Sequence, residues 1–228
     1  MSQFFNRIVW SALTTRQDRF SLGTRLAKRF DPAVSPFAVS MDNSPSALDA
    51  LADLIAPEND YALLLQAENI LLPDKLVAEI STKGVLMTEE KPSPKGSGDV
   101  TIEILTDNDI PDMVALANLT KPGPFQHRTP ELGTFWGVKL DGRLAAMAGT
   151  RLDLPGYTEV SGICTHPDFQ GRGLATALSL HVATTIREKG DTPFLHAYAD
   201  NHGAIALYRK LGFEIWSEVN VAKVRRCS

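Results

Sequence analysis

An apolar, β-branched run from Val160 to Thr165 passes through the turn His166-Pro167-Asp168-Phe169 into Gln170-Gly171-Arg172-Gly173-Leu174-Ala175, which opens a helical stretch from Leu174 to Lys189. A strand that enters a helix through glycines leaves the first N–H groups of that helix without intrahelical partners, and the helix dipole adds partial positive charge at the same place. Together they favour a bound phosphate. Glycine removes the Cβ that would hold the ligand off the backbone. The order also demands a helix packed on a sheet, so the chain is expected to be α/β.

The chain has 228 residues, room for one large domain or two small ones. Its formal net charge of -4 argues against a general nucleic-acid binder, which carries a basic surplus. No apolar run approaches the roughly 18–20 residues of a membrane span, and Met1 to Trp10 lacks the long apolar stretch and small cleavage residues of a signal peptide. Cys164 and Cys227 are the only cysteines. Two distant thiols without a signal point to a reducing compartment, and a cytoplasmic location is expected. No zinc-ligand spacing occurs, so no metal is expected. The scattered histidines, His166 and His196 among them, read as surface or packing residues.

In chain order, apolar positions at helical spacing (Phe4, Ile8, Leu13, then Leu22, Leu26, Phe30) predict two short helices. Asp31 to Ser46 reads as irregular. Ser44-Pro45 is an N-cap and N1 pair for a helix over Ala47 to Ile55. Tyr61 to Gln66 and Leu76 to Thr88 read as strands, the latter with a turn at Lys83-Gly84. Glu89 to Gly98, Glu-Glu-Lys-Pro-Ser-Pro-Lys-Gly-Ser-Gly, has linker composition. The expected division is therefore an N-terminal α/β region over 1–88, a linker over 89–99 and a second domain over 100–228. In that domain Val100–Leu105 reads as a strand and Thr106-Asp107 caps a helix to Leu119. A hairpin turns at Asp141-Gly142, and a strand at Pro193–Ala199 precedes a helix that begins at Asn201 and stops at Gly212. The order β-α-β-β-β-α-β-α-β implies a mixed sheet with helices on its faces.

Three features line up in the second domain. They are Gln-x-x-Gly-x-Ala at Gln170, Gly173 and Ala175; Asn201 at a helix start; and Tyr208, about two helical turns further on, inside Ala-Ile-Ala-Leu-Tyr-Arg-Lys-Leu-Gly-Phe. Together they resemble the GNAT superfamily of acyl-CoA N-acyltransferases. The resemblance covers roughly Val100 to Val224 and is strongest from Tyr157 to Phe213. It is to a bacterial subgroup with an N-terminal region before the GNAT half. Rival phosphate motifs fail: Gly173 is followed by Leu174 rather than the Lys of a P-loop, and Thr176 occupies the third glycine position of a Rossmann fingerprint.

The resemblance implies a GNAT-like mixed α/β fold in which the strands at Tyr157–Thr165 and Pro193–Ala199 splay apart and admit acetyl-CoA. The pyrophosphate would take the N–H groups of Gly171 to Ala175, so that Gln170, Gly171, Arg172, Gly173, Leu174 and Ala175 are the coenzyme-binding residues of the loop. The pantetheine arm would run along Ile163, Cys164 and Thr165 and touch Asn201. Tyr208 would protonate the departing thiolate, and Glu159, with a raised pKa, would be the general base. Acceptor residues are expected in Thr120 to Glu131, with Phe125, Arg128 and Glu131 as candidates. The implied activity is transfer of acetyl to a primary amine of a small molecule, amino acid or peptide by direct attack in a ternary complex. A non-catalytic acyl-CoA binding module and an enzyme for longer acyl chains are the alternatives. No nucleic-acid or membrane partner is expected. The first region has no assignable motif and reads as a cover over the acceptor site, a homodimer surface or structural support.

Overall fold

The structure, a computed structural model, describes residues 3–58, 60–93 and 100–227. The elements in chain order are α1 (Ile8–Leu13), β1 (Ser21–Gly23), β2 (Ala27–Phe30), β3 (Ala38–Ser40), α2 (Pro45–Asp53), β4 (Ala62–Gln66), β5 (Leu76–Glu89), β6 (Glu103–Ile104), α3 (Ile110–Thr120), β7 (Phe135–Leu140), β8 (Arg143–Leu154), β9 (Tyr157–Thr165), α4 (Leu174–Glu188), β10 (Thr192–Tyr198), α5 (His202–Lys210) and β11 (Phe213–Arg226). They form a 3-stranded sheet, β1-β2-β3, and an 8-stranded sheet in the order β4-β11-β5-β10-β9-β8-β7-β6. The mixed α/β fold and the element order expected from β6 to β11 are both found.

Local chemistry sets the element ends. Ser44 accepts from the Ala47 N–H at 3.4 Å, and Pro45 follows it at the first position of α2. Thr106 and Asp109 form a reciprocal capping box ahead of α3. Asp141 and Gly142 have φ of 52° and 73°, the two positive values that a type I′ hairpin requires.

Four expectations are corrected. Asp31 to Ser46, expected to be irregular, carries β3, because Ala38–Ser40 pair with Ala27 to Arg29 of β2. The second N-terminal helix is instead the β1–β2 hairpin: the spacing of Leu22, Leu26 and Phe30 is overridden by tertiary pairing of Ser21 with Phe30 and of Gly23 with Lys28. Lys83-Gly84 is no turn, because β5 runs through it for 14 residues. Gly84 is there for close packing: a Cβ would lie 3.0 Å from the Ala197 carbonyl and 3.1 Å from Val219 Cγ2. The strand expected over Val100–Leu105 shrinks to Glu103–Ile104.

The sheet crosses the expected boundary at 89–99. β5, from the first region, lies between β10 and β11, and β4 lies outside β11. Residues 94–99 of the expected linker fall outside the described residues. Ion pairs bind the two regions further. Buried Glu89 at the end of β5 accepts from Arg187 of α4 at 2.6 Å through both carboxylate oxygens. Arg16 pairs with Asp153 at 2.9 Å and with Asp191.

Apolar residues fill both faces of the large sheet. On one, α4 and α5 cover Val85, Met87, Val160 and Leu195. On the other, Phe5, Ile8, Leu13, Phe30 and Phe37 of the first region cover Leu65, Leu86, Phe194 and Val219. No helix among the described residues is long and apolar enough to cross a membrane.

Gly212 closes α5 with φ of 94°, and its carbonyl accepts from the N–H groups of Glu90 and Lys91. A Cβ there would lie 1.8 Å from the Lys91 carbonyl oxygen. Gly212→Ala is expected to lower the unfolding free energy by roughly 2 kcal/mol, read as a lower urea midpoint with an unchanged slope.

Candidate active site

The central feature is a parting of strands. β9 and β10 pair in parallel only at Thr192↔Tyr157, Pro193↔Thr158 and Phe194↔Glu159. Beyond that point β9 follows β8, ending at Ala146↔Thr165, and β10 follows β5, ending at Tyr198↔Gly84. Register shifts along β8–β9 and Gly162, with φ of 64°, turn β9 away.

A cavity of about 220 Å³ occupies the opening. It is lined by Asn201, the N-cap of α5, by Ala204 and Tyr208 within α5, and by Ile163, His196 and Ala197 of the parted strands. Phe37, Leu63 and Leu65 of the first region and Lys121 to Pro124 after α3 also line it. Tyr208 belongs to the core on the α4–α5 face, whereas Phe37 and Leu65 belong to the core on the opposite face. One cavity is therefore reached from both faces, because the sheet is open there.

The glycine loop has the form its sequence demands. Gly171 and Gly173 have φ of 76° and 75°, and a Cβ on either would meet nothing within 4 Å. Gly173 is the N-cap of α4, and no side chain caps that helix. Its first N–H groups thus have no side-chain partner and open space beside them, which an anion can take. Phe169 is buried under the loop, with the Arg143 and Arg172 guanidinium carbons 5.4 and 5.3 Å from its ring centre. Leu174 turns into the core, so only its backbone is available, while Gln170 is exposed. His166 is structural: its Nδ1 accepts from the Asp168 N–H at 3.2 Å, and its Nε2 lies 2.9 Å from Arg143.

Ile163 faces the cavity, whereas the Cys164 side chain packs with Met113 and Leu116 of α3 and is turned away. Burial pushes the Cys164 thiol up to about 11, which leaves it no nucleophile at neutral pH. Thr165 pairs with β8, its hydroxyl buried. Asn201 caps α5, accepting from the Ala204 N–H at 3.1 Å, and also lines the cavity. Tyr208 is buried, and that burial pushes its phenol up to about 12.

Glu159 departs from expectation. It is 1% exposed and accepts from Arg151 Nε at 2.9 Å, Arg151 Nη2 at 2.8 Å and the Leu152 N–H at 3.2 Å. Burial alone would raise its pKa, but the Arg151 guanidinium and the hydrogen bond with His196 outweigh burial and hold it at about 2. The raised value expected of a general base is thus reversed, and this carboxylate stays ionised. Its Oε1 lies 2.7 Å from His196 Nδ1. The other ring nitrogen, Nε2, is buried and has no hydrogen-bond partner among the described residues. The packing role expected for His196 is therefore incomplete. One sequence signal was available: β-strand alternation puts His196 on the same face as Phe194, the residue that pairs with Glu159.

The three acceptor candidates do not line the cavity. Phe125 packs edge-on against Phe135 at 5.4 Å. Arg128 binds Glu131 at 2.6 Å and Asp31 at 2.7 Å, so these charges satisfy one another at the surface. The part of this segment that does line the cavity is Lys121 to Pro124.

Residues 136–221 match the family model described as FR47-like protein. The chain is 34% identical over 132 residues to the [ribosomal protein bS18]-alanine N-acetyltransferase of Salmonella typhimurium, a match covering 55% of this chain and 84% of that one. A solved structure from Novosphingobium aromaticivorans, described as an acetyltransferase from the GNAT family, superposes with a TM-score of 0.93 at 35% identity over 100% of both chains. The chain belongs to the GNAT family. A shorter match, 36% identical over 94 residues, is to mycothiol acetyltransferase of Nocardiopsis dassonvillei and covers 37% of this chain and 28% of that one.

This GNAT protein is an acyl-CoA-dependent N-acyltransferase. Glu159 gives the site a measurable signature. Its folded pKa of about 2 lies below its ordinary 4.5, so its contribution to stability is complete above about pH 4.5 and is lost as pH falls towards 2. Glu159→Gln leaves the Arg151 charge buried without a counter-ion and is expected to cost roughly 3–5 kcal/mol at pH 7. The gap from wild type should narrow below about pH 4.5 in urea titrations across pH.

Proposed function

We propose that this GNAT enzyme moves acetyl from acetyl-CoA to a primary amine by direct attack in a ternary complex. The observation that carries the reading is the single cavity lined from both faces of the sheet at the β9–β10 opening. A thioester in the opening would be approached by an amine from one face and would release its thiolate towards the other.

In this reading the N–H groups of Gly171 to Ala175 hold the pyrophosphate. Backbone groups of β9 near Ile163 and Thr165, which have no partner on β10, take the pantetheine arm and polarise the thioester carbonyl. Tyr208 delivers a proton to the leaving sulfur. Burial keeps its phenol protonated, and a thiolate expelled into the same apolar surroundings is a stronger base than one in water. The buried, protonated Cys164 supports direct attack over an acyl-cysteine route.

The first region, residues 1–88, then serves as the acceptor wall, through Phe37, Leu63 and Leu65. These three apolar side chains suit an amine with a compact apolar group beside its nitrogen. The N-terminal alanine named for the Salmonella relative is such an amine, so peptides beginning with alanine and small apolar amines form the first acceptor panel.

Tyr208→Phe is expected to lower kcat by about 10²–10⁴-fold while CoA affinity stays near wild type. Gly173→Asn tolerates the left-handed backbone yet sets a side chain beside the first N–H groups of α4, and should weaken CoA binding by about tenfold or more with secondary structure unchanged. Thiol release with the amine panel and calorimetry with CoA are the measurements. Tight CoA binding without thiol release for any amine would replace the enzyme reading with a binding module.

A further inference from the structure

Tyr208 supplies a proton on one side of the opening, but an amine that enters as ammonium must lose one on the other. We infer that His196 Nε2 is the general base for the acceptor amine, and that Glu159, locked by Arg151, is its positioning residue. The inference rests on the amine-acetylation reading above.

The tautomer follows from the contacts. Glu159 accepts from both Nε and Nη2 of Arg151 and from a backbone N–H, so it is an ionised acceptor with no proton to give. The hydrogen bond to His196 Nδ1 at 2.7 Å must then be donated by the imidazole. With the proton held on Nδ1, the lone pair of the neutral ring lies on Nε2. That nitrogen is buried without a partner among the described residues, in a ring that lines the cavity. A buried acceptor left unpaired is unfavourable, and an N–H of the incoming amine would satisfy it.

The placement suits the reaction. Strand alternation puts His196 on the face covered by the first region, with Phe194, whereas Tyr208 is on the α4–α5 face. Base and acid thus stand on opposite faces of the opened sheet, one where nitrogen arrives and one where sulfur leaves. His196 removes one proton from the ammonium and passes it to solvent. The free amine attacks the carbonyl carbon, a C–N bond forms and the C–S bond breaks. The second nitrogen proton balances the one that Tyr208 delivers to the thiolate, so the products are amide, CoA thiol and one proton. Glu159 of β9 bonds the ring, and the charged and titratable groups that line the cavity with His196 are Arg151 of β8, Lys121 after α3, Tyr198 of β10 and Tyr208 of α5. Its β5 partner, Leu86, adds none.

His196→Ala and His196→Gln test this by thiol-release kinetics across pH, beside CoA calorimetry. The expected result is a kcat/KM loss of about 10²–10⁴-fold near neutral pH with CoA affinity retained. The loss should shrink at high pH and with an acceptor whose amine is already neutral, and imidazole added to His196→Ala should restore part of the rate. Tyr208→Phe should show none of these recoveries. Glu159→Gln keeps an acceptor for Nδ1–H but removes the charge, so it should shift the acid limb of the kcat/KM profile. A His196 variant with wild-type kcat/KM, or with a loss unaffected by pH, amine basicity and imidazole, overturns the inference while leaving amine acetylation standing. A wild-type enzyme that turns over no amine removes both.

Discussion

The structure depends on two central strands that stop pairing. Parallel neighbours that part in mid-sheet leave backbone N–H and C=O groups without partners, a cost buried segments rarely carry. It is tolerable here because each strand keeps its other neighbour: β9 stays on β8, and β10 stays on β5. The unpaired edges are a place where an extended ligand could complete the hydrogen bonding, and the loop at Gly171–Gly173 follows the end of β9.

Electrostatics in the opening is arranged differently from that on the surface. Arg128 and Glu131 pair in water, where such contacts are screened and contribute little. Arg151 and Glu159 pair out of water, where neither charge is tolerable alone. Mutual stabilisation of the buried pair fixes the carboxylate as an anion, and the anion fixes which imidazole nitrogen carries its proton. A residue that resembles a base by position thus becomes the element that sets the state of its neighbour.

The first region is part of the sheet and lines the cavity. β5 is the strand that lets β10 leave β9 without becoming an edge, and β4 brings Leu63 and Leu65 to the cavity. The linker-like composition after Glu89 marks a change of local chemistry, not of the sheet. Likewise, Gly84 resembles a turn residue but is required where β5 passes close to Ala197 and Val219.

The local chemistry of the phosphate loop, the capped helix starts, the Asp141-Gly142 hairpin and the Asn201–Tyr208 helix was legible in the sequence. Each rests on neighbours within one or two turns of chain, where a proline, a glycine or a capping hydroxyl acts directly on its own backbone. Placement of β5 between β10 and β11, the strand character of Leu22 to Phe30, the coupling of Arg151 to Glu159 and His196, and the cavity lining from residues far apart in the chain were decided only by tertiary structure. Those features depend on register and burial. A carboxylate has the same letter whether it lies in water or against a guanidinium inside a protein, and only the packing around it determines which proton it controls.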